Sequence, residues 1–167
     1  MSWLLPFVQK GVVAGLGIGV VKILSYLPVL EKDNHTKLLE EEFPGVYADR
    51  DLAFAMNTLL DFRGYAPDDF AAVIVGCEKV CVLVKYFRVG LRTMTPSQAC
   101  EFPKKLSHAC FDVRNKLDHL CLVLVSSRSD LETDISAAAD TIKKAIDNYE
   151  YNIAQDVEVY METMPSV

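Results

Sequence analysis

Residues 131–160, LETDISAAADTIKKAIDNYEYNIAQDVEVY, carry the longest periodic pattern in this chain of 167 residues. Apolar side chains recur there at intervals of three or four, which places them on one face of an α-helix with acidic side chains opposite. The stripe comprises Leu131, Ile135, Ala138, Ile142, Ala145, Tyr149, Ile153, Val157 and Tyr160. A stripe of this length predicts a long helix that buries one side within a helical bundle.

Signals for two further helices precede this stripe. Asp49 can cap a helix that ends near Gly64, and Pro67 suits the first turn of a helix that runs to about Gly90. Charged side chains recur at helical spacing in the second of these, at Glu78, Lys85, Arg88 and Arg92. The spacing indicates one charged helical face.

Capping boxes open the remaining two helices. TPSQ at 95–98 combines a threonine cap, a proline at the first helical position and a glutamine three residues after the cap. Pro103 is expected to restart this helix, which would end near Ser126, and SDLE at 129–132 is a second box. We therefore predict an all-α fold, an antiparallel four-helix bundle over residues 46–167 preceded by an apolar glycine-zipper helix.

Two apolar segments allow a different interpretation. Residues 71–84 and 121–125 are rich in β-branched side chains, which are enriched in strands. Strands here would give a small α/β domain. No turn residues divide residues 71–84, and this favours a helix.

Residues 31–45, EKDNHTKLLEEEFPG, change composition abruptly and end in Pro44 and Gly45. A polar, mainly acidic stretch that closes with proline and glycine is typical of a solvated connection. We predict an acidic linker with at most one helical turn, around Leu38 and Leu39.

Residues 11–22, GVVAGLGIGVVK, form the densest glycine cluster in the chain. On a helix, Gly11, Gly15 and Gly19 share one face and leave a groove that the backbone of another helix can approach closely. Phosphate-binding loops do not fit, because the dinucleotide fingerprint lacks its third glycine and Lys22 follows a valine. The cluster predicts a helix–helix contact.

The segment around these glycines has the length of a bilayer span. The residues from Phe7 to Leu27 would form about 31 Å of helix, close to the ~30 Å hydrocarbon core. We therefore predict a membrane-inserting helix over residues 1–30. A cleaved signal peptide, a buried core helix of a soluble domain and an in-plane interfacial helix are the alternatives.

Four side chains suit the two membrane–water interfaces. Lys10 and Lys22 can extend toward opposite interfaces and set the depth of insertion. Trp3 and Tyr26 fall near the two boundaries, where aromatic belts lie. We predict these four as membrane-interface residues.

Composition constrains the partners and the compartment. Residues 1–30 hold two lysines and no acidic residue, so the rest of the chain carries 15 basic and 23 acidic side chains and a net charge of −8. An acidic body argues against nucleic acid as a partner. Five cysteines, an odd number, lie in apolar stretches and predict reduced thiols in a cytosol-like compartment. The Asn34 sequon would matter only if that region were lumenal.

Residues with catalytic or metal-binding chemistry do not form a known motif. The two His-x-Cys pairs, His108 with Cys110 and His119 with Cys121, would point to different sides of a helix. Cys77 and Cys81 share a face, but their apolar neighbours favour packing. We predict no metal, no cofactor, no small-molecule substrate and no catalytic residue.

These patterns predict a non-enzymatic, membrane-anchored structural subunit that links a protein layer or complex to a bilayer. A minor capsid protein of a membrane-containing virus and an accessory subunit of a membrane complex are examples. The expected partners are membrane lipid and other protein subunits, with the bundle in a reducing compartment or on the inner face of a virion. The alternative is a soluble helical adaptor whose N-terminal helix docks in a partner protein, and a cysteine or metal enzyme is the third possibility.

Overall fold

The computed structural model describes residues 32–164, which form six α-helices and no strand. The helices are α1 (Lys32–Glu42), α2 (Pro44–Ala48), α3 (Arg50–Leu60), α4 (Pro67–Gly90), α5 (Pro96–Ser127) and α6 (Glu132–Thr163). Short 3-10 turns at Arg63–Tyr65, Leu91–Thr93 and Ser129–Leu131 connect the last four. The predicted all-helical class is confirmed for the described residues, and both segments considered as strands are helical.

Helices α4, α5 and α6 pack as successive hairpins. The rings of Phe87 and Phe102 stack with centroids 4.5 Å apart near the α4–α5 turn, whereas Asp69 and His119 meet at the far end of the same pair. Contacts between α5 and α6 follow the same reversed order, from Asp118 with Lys143 to Ser107 with Glu150. Neighbouring helices in this part of the fold are therefore antiparallel.

Helix α4 is the central element, and its position explains its composition. It contacts α2, α3, α5 and α6, and 11 of its 24 residues are buried. A helix that is apolar around most of its circumference belongs in a core. The β-branched run that resembles a strand therefore reflects burial on several sides.

Residues 31–45 are predicted as a linker, and over residues 32–45 the structure differs from this prediction. The segment is mostly helical, and α1 and α2 pack on α3 and α4. Leu39, Phe43 and Val46 are fully buried in the core. These few apolar residues stand in a segment rich in charged residues, and the surface that covers them is formed by helices later in the chain. Local composition therefore could not reveal their burial.

The stripe on α6 is buried as predicted. Its members are either inside the core or partly buried against it, and Ile146 is a further fully buried position on the same helix. Two predicted helix starts are also confirmed. The Asp49 carboxylate accepts hydrogen bonds at the start of α3, and Thr95 and Gln98 form a reciprocal capping box at the start of α5.

Two local predictions about helix boundaries are wrong. Pro103 lies inside a continuous α5 and does not restart a helix. An interior proline removes one backbone hydrogen bond, but its neighbour Phe102 and the nearby Leu106 are buried in the core and hold the helix in place. Ser129 does not cap α6, because the Leu131 N–H donates to the carbonyl of Arg128 and closes a 3-10 turn before the helix begins at Glu132.

Gly76 allows α4 and α5 to approach closely. A Cβ atom at this position would lie 2.8 Å from Cγ2 of Val113. Val113 is fully buried, and a helical valine has one strongly preferred rotamer. We expect Gly76→Ala to lower the free energy of unfolding by about 1 kcal/mol, because overpacking outweighs the higher helix propensity of alanine.

A double-mutant cycle isolates this contact. In a Val113→Ala background the clashing methyl is absent, so the same Gly76→Ala change is expected to raise the free energy of unfolding by about 0.5 kcal/mol. Urea unfolding followed by circular dichroism measures both steps. An equal loss in both backgrounds would show that the Val113 methyl is not the obstacle.

Candidate functional site

The residues predicted to pack and position the membrane helix lie outside the described residues. They are Gly11, Gly15 and Gly19 for the helix contact, and Trp3, Lys10, Lys22 and Tyr26 for the interfaces. Their roles stay predictions. Within residues 32–164, no helix combines the length and the apolar composition needed to cross a bilayer.

The residues of the two His-x-Cys pairs lie in different surroundings and do not form a common site. Cys110 is buried in the core, whereas His119 is at the surface with its Nε2 atom 3.4 Å from the Asp69 carboxylate. In the part of the chain that the structure describes, no three His, Cys, Asp or Glu side chains gather as a metal site requires. A polar cluster does form elsewhere, where α2 packs on α4.

An open cleft of about 490 Å³ lies beside this cluster. Its walls come from α2, the cap of α3, the second half of α4 and one residue of α6. The lining residues are Gly45, Ala48, Asp49, Cys81, Val84, Lys85, Arg88, Val89 and Tyr149. Two of the four charged residues that the sequence places on one helical face, Lys85 and Arg88, therefore line the cleft.

Glu78, from the same charged series, is 2% exposed and caps α2 from the neighbouring helix. Its Oε1 accepts a hydrogen bond from the Gly45 N–H at 2.9 Å, and its Oε2 accepts one from the Val46 N–H at 2.8 Å. These are the first N–H groups of α2, because Pro44 has none, and Phe43 at the N-cap offers no side-chain acceptor. The buried carboxylate supplies what this helix start lacks.

Arg63 is the other buried charged side chain among the described residues, and it caps the opposite end of a helix, the C-terminus of α3. Its Nη1 donates to the carbonyl of Leu60 at 2.8 Å, at the C-terminus of α3. Burial lowers the pKa of Arg63, and the nearby Asp61 charge acts in the opposite direction. A cation at a helix C-terminus and an anion at a helix N-terminus both match the helix dipole.

Gly45 allows α2 to rest directly on α4. A Cβ atom at this position would lie 2.7 Å from Cβ of Cys81 and 2.9 Å from Oε2 of Glu78. The Cys81 Cβ is fixed to the helix backbone and cannot rotate away. The hydrogen bonds to Glu78 therefore depend on a residue without a side chain at Gly45.

Asp49 and Tyr149 join α3 to α6 at the edge of the cleft. Oδ1 of Asp49 accepts hydrogen bonds from the N–H groups of Asp51 and Leu52, and its Oδ2 accepts one from the Tyr149 hydroxyl. Burial, followed by the bond to Asp49, raises the pKa of Tyr149. The hydroxyl thus stays protonated and able to donate at neutral pH.

The buried thiols of the core, of which Cys81 also lines this cleft, are weak nucleophiles. Burial raises the pKa of Cys81 to about 12, and the charge of Glu78 adds to this effect. Burial also raises the pKa of Cys77, and the pKa of Cys110 rises to about 12 for the same reason. Because the thiolate is the reactive form, protonated thiols at these positions are suited to packing.

Glu78 gives the fold a pH dependence of definite sign. Burial raises its pKa above the ordinary value of 4.5, while the bonds from Gly45 and Val46 and the charge of Lys85 lower it by less. The folded state therefore holds this proton more tightly than the unfolded state. Its contribution to the free energy of unfolding is full below the unfolded pKa and is lost as the pH rises through the folded pKa.

A Glu78→Gln variant makes this dependence measurable. We expect the stability of the wild type relative to this variant to decrease as the pH rises above about 4.5, the pKa of an unfolded glutamate, and through the higher folded pKa, as determined by urea unfolding at each pH. The exposed Glu101→Gln removes the same charge without entering the cleft, and so controls for net charge. A relative stability that increases with pH would mean that the N–H bonds outweigh burial at Glu78.

Comparison with models of known families, with curated proteins and with solved structures finds no match for this chain.

Sequence reasoning placed Glu78 on a charged helical face and missed its burial. One signal was present, since this glutamate lies within an otherwise largely apolar run, residues 71–84. Its hydrogen-bond partners, however, are 33 and 32 residues earlier in the chain, at Gly45 and Val46. No local sequence pattern predicts a hydrogen bond between a carboxylate and N–H groups that are so far away in the chain.

Proposed function

We propose that this chain is a non-enzymatic structural subunit, anchored in a membrane by residues 1–30 and attached to other proteins through its helical body. The observation that carries the proposal is the structural role of Glu78. Its buried carboxylate accepts hydrogen bonds from the N-terminus of α2 and so holds this helix on α4. Asp49 and Tyr149 link α3 to α6 in a similar way. Polar groups engaged in joining helices, and thiols held in the protonated form, support a structural role.

The anchor is proposed from the sequence of residues 1–30. Gly11, Gly15 and Gly19 would pack against a helix of a partner subunit, and Lys10 and Lys22 would set the depth in the lipid. Only residue 31 separates this segment from α1, which packs into the body. An anchor so close to the first helix would hold the body against the bilayer, as an accessory subunit of a membrane complex or a minor capsid protein of a membrane-containing virion requires.

Extraction of membranes with alkaline carbonate tests the anchor. The full chain is expected to stay in the membrane pellet, whereas a chain lacking residues 1–30 should appear in the supernatant with a helical circular dichroism spectrum. Release of the full chain would contradict membrane insertion.

The glycine contact is tested separately by chemical cross-linking in membranes. Gly15→Leu fills the proposed groove and is expected to abolish helix association. Gly17→Leu adds the same side chain two residues away, on another face of the helix, and serves as the matched control. Association that survives Gly15→Leu would exclude the groove as the contact.

A soluble adaptor is the second candidate, and an exposed apolar surface on the body favours it. A second cleft of about 380 Å³, lined by Tyr86, Val89, Gly90, Thr93, Met94 and Gln98, adjoins the first at Val89. Val89 is 78% exposed. This exposed valine and the clefts on either side of it offer a partner protein an apolar contact, and carbonate release of the full chain would make this function the leading one.

A further inference from the structure

Among the described residues, one carboxylate lines the cleft between α2, α4 and α6 and a second lies beside it, and each accepts hydrogen bonds on both of its oxygens. Glu78, beside the cleft, accepts one N–H group on each oxygen. Asp49 accepts two N–H groups on Oδ1 and the Tyr149 hydroxyl on Oδ2. These carboxylates are therefore occupied at the N-termini of α2 and α3, where helix dipoles offset their charge.

The basic groups of the same cleft have no comparable partners. Lys85 and Arg88 are three residues apart on α4, line the cleft together and are exposed. Within residues 32–164, Lys85 makes no ion pair, and Arg88 reaches the Asp156 carboxylate only at 4.0 Å with both side chains near half exposed. A pair so open to solvent is weak. The two cations of the cleft are therefore open to solvent, and their donors are accessible to an anionic group.

The remaining lining is apolar. Ala48, Val84 and Val89 lie along the cleft, and Val89 also borders the second cleft, which Met94 helps to line. An apolar path that begins at two cations matches a molecule with an anionic head and one hydrocarbon chain. A volume of about 490 Å³ falls within the range of small-molecule sites.

We propose that this cleft binds a single-chain anionic amphiphile, with a carboxylate or phosphate head at Lys85 and Arg88 and its chain along Ala48, Val84 and Val89. Charge-assisted bonds from the two cations select the head group. Contact with the apolar walls removes the chain from water. The site does not depend on whether residues 1–30 insert into a bilayer.

Photo-labelling of the full chain tests the proposal. The full chain is mixed with nanodiscs of zwitterionic phosphatidylcholine, exposed to a photoreactive fatty acid whether or not it inserts, and digested for mapping by mass spectrometry. We expect labels on the lining of the cleft, near Val84 and Val89, and protection by sodium decanoate. Decyltrimethylammonium and inorganic phosphate should protect little, because the first carries the wrong charge and the second has no chain.

Three variants sharpen the test. Lys85→Gln is expected to weaken labelling of the cleft roughly tenfold, as a lost charge-assisted bond predicts. Lys79→Gln removes an exposed lysine of the same helix that lines neither cleft, and should leave labelling unchanged. Ala48→Trp, at an exposed position on the cleft wall, should block the apolar path without disturbing the core.

Several outcomes would overturn the proposal. Labels that map elsewhere, equal protection by decanoate and by decyltrimethylammonium, or unchanged labelling in both Lys85→Gln and Ala48→Trp would each do so. Nanodiscs containing anionic phospholipid identify the source of the head group. Protection by that bilayer without protection by decanoate would assign the cations to a lipid surface and exclude a single-chain ligand.

Discussion

Phe102→Ala is expected to lower the free energy of unfolding by about 3–5 kcal/mol. The Phe102 side chain is fully buried and stacks on Phe87, with ring centroids 4.5 Å apart and planes inclined by 25°. This pair joins α4 to α5 next to their connecting turn. Truncation removes the aromatic contact and leaves a cavity between two helices that cannot easily close.

Phe111→Ala is the matched control for this change. Phe111 lies on the same helix, but its side chain is 63% exposed. Its truncation should change the free energy of unfolding by only about 0.5 kcal/mol. Urea unfolding of both variants measures the difference, and similar losses at the two positions would contradict the packing of α5 on α4.

Glu78→Ala is expected to lower the free energy of unfolding by about 3 kcal/mol. The substitution leaves the buried N–H of Val46 and the partly buried N–H of Gly45 without their acceptors, and an unpaired buried donor costs about 1–3 kcal/mol. Part of this loss is offset, because a desolvated carboxylate is removed at the same time. The exposed Glu101→Ala should have little effect and serves as the control.

Amide hydrogen exchange locates the effect of this variant. In the wild type, the Gly45 and Val46 amides are expected to be protected, and in Glu78→Ala their exchange should accelerate more than that of amides in the middle of α5. Glu78→Gln retains one acceptor oxygen and should give an intermediate result. Uniform acceleration across the chain would indicate general destabilisation and no specific role in capping α2.

Several features of the fold could be predicted because their causes are local. The apolar stripe on α6 follows from helical periodicity, and the caps at Asp49 and Thr95 depend on side chains within three residues of the N–H groups they bind. Pro67 begins α4 because a missing N–H costs nothing at a helix start. Each signal lies within a few residues of the structure it determines.

The wrong predictions involve competition between local preference and packing. Pro103 remains within α5 because neighbouring side chains such as Phe102 are buried against other helices. The helix start predicted at Ser129 is replaced by a 3-10 turn over Ser129–Leu131. The segment read as a linker is helical because Leu39 and Phe43 find a surface made by helices later in the chain.

By itself, the sequence determined the helical class, the starts of α3, α4 and α5, and the apolar, glycine-patterned character of residues 1–30, since these depend on composition and short-range spacing. Only the tertiary structure decided that Glu78 would be buried and would cap α2, that Asp49 would meet Tyr149, and that Lys85 and Arg88 would line the same cleft. The physical reason is distance along the chain. Hydrogen bonds between residues 32 to 100 positions apart depend on how whole helices pack, and no local pattern encodes that arrangement.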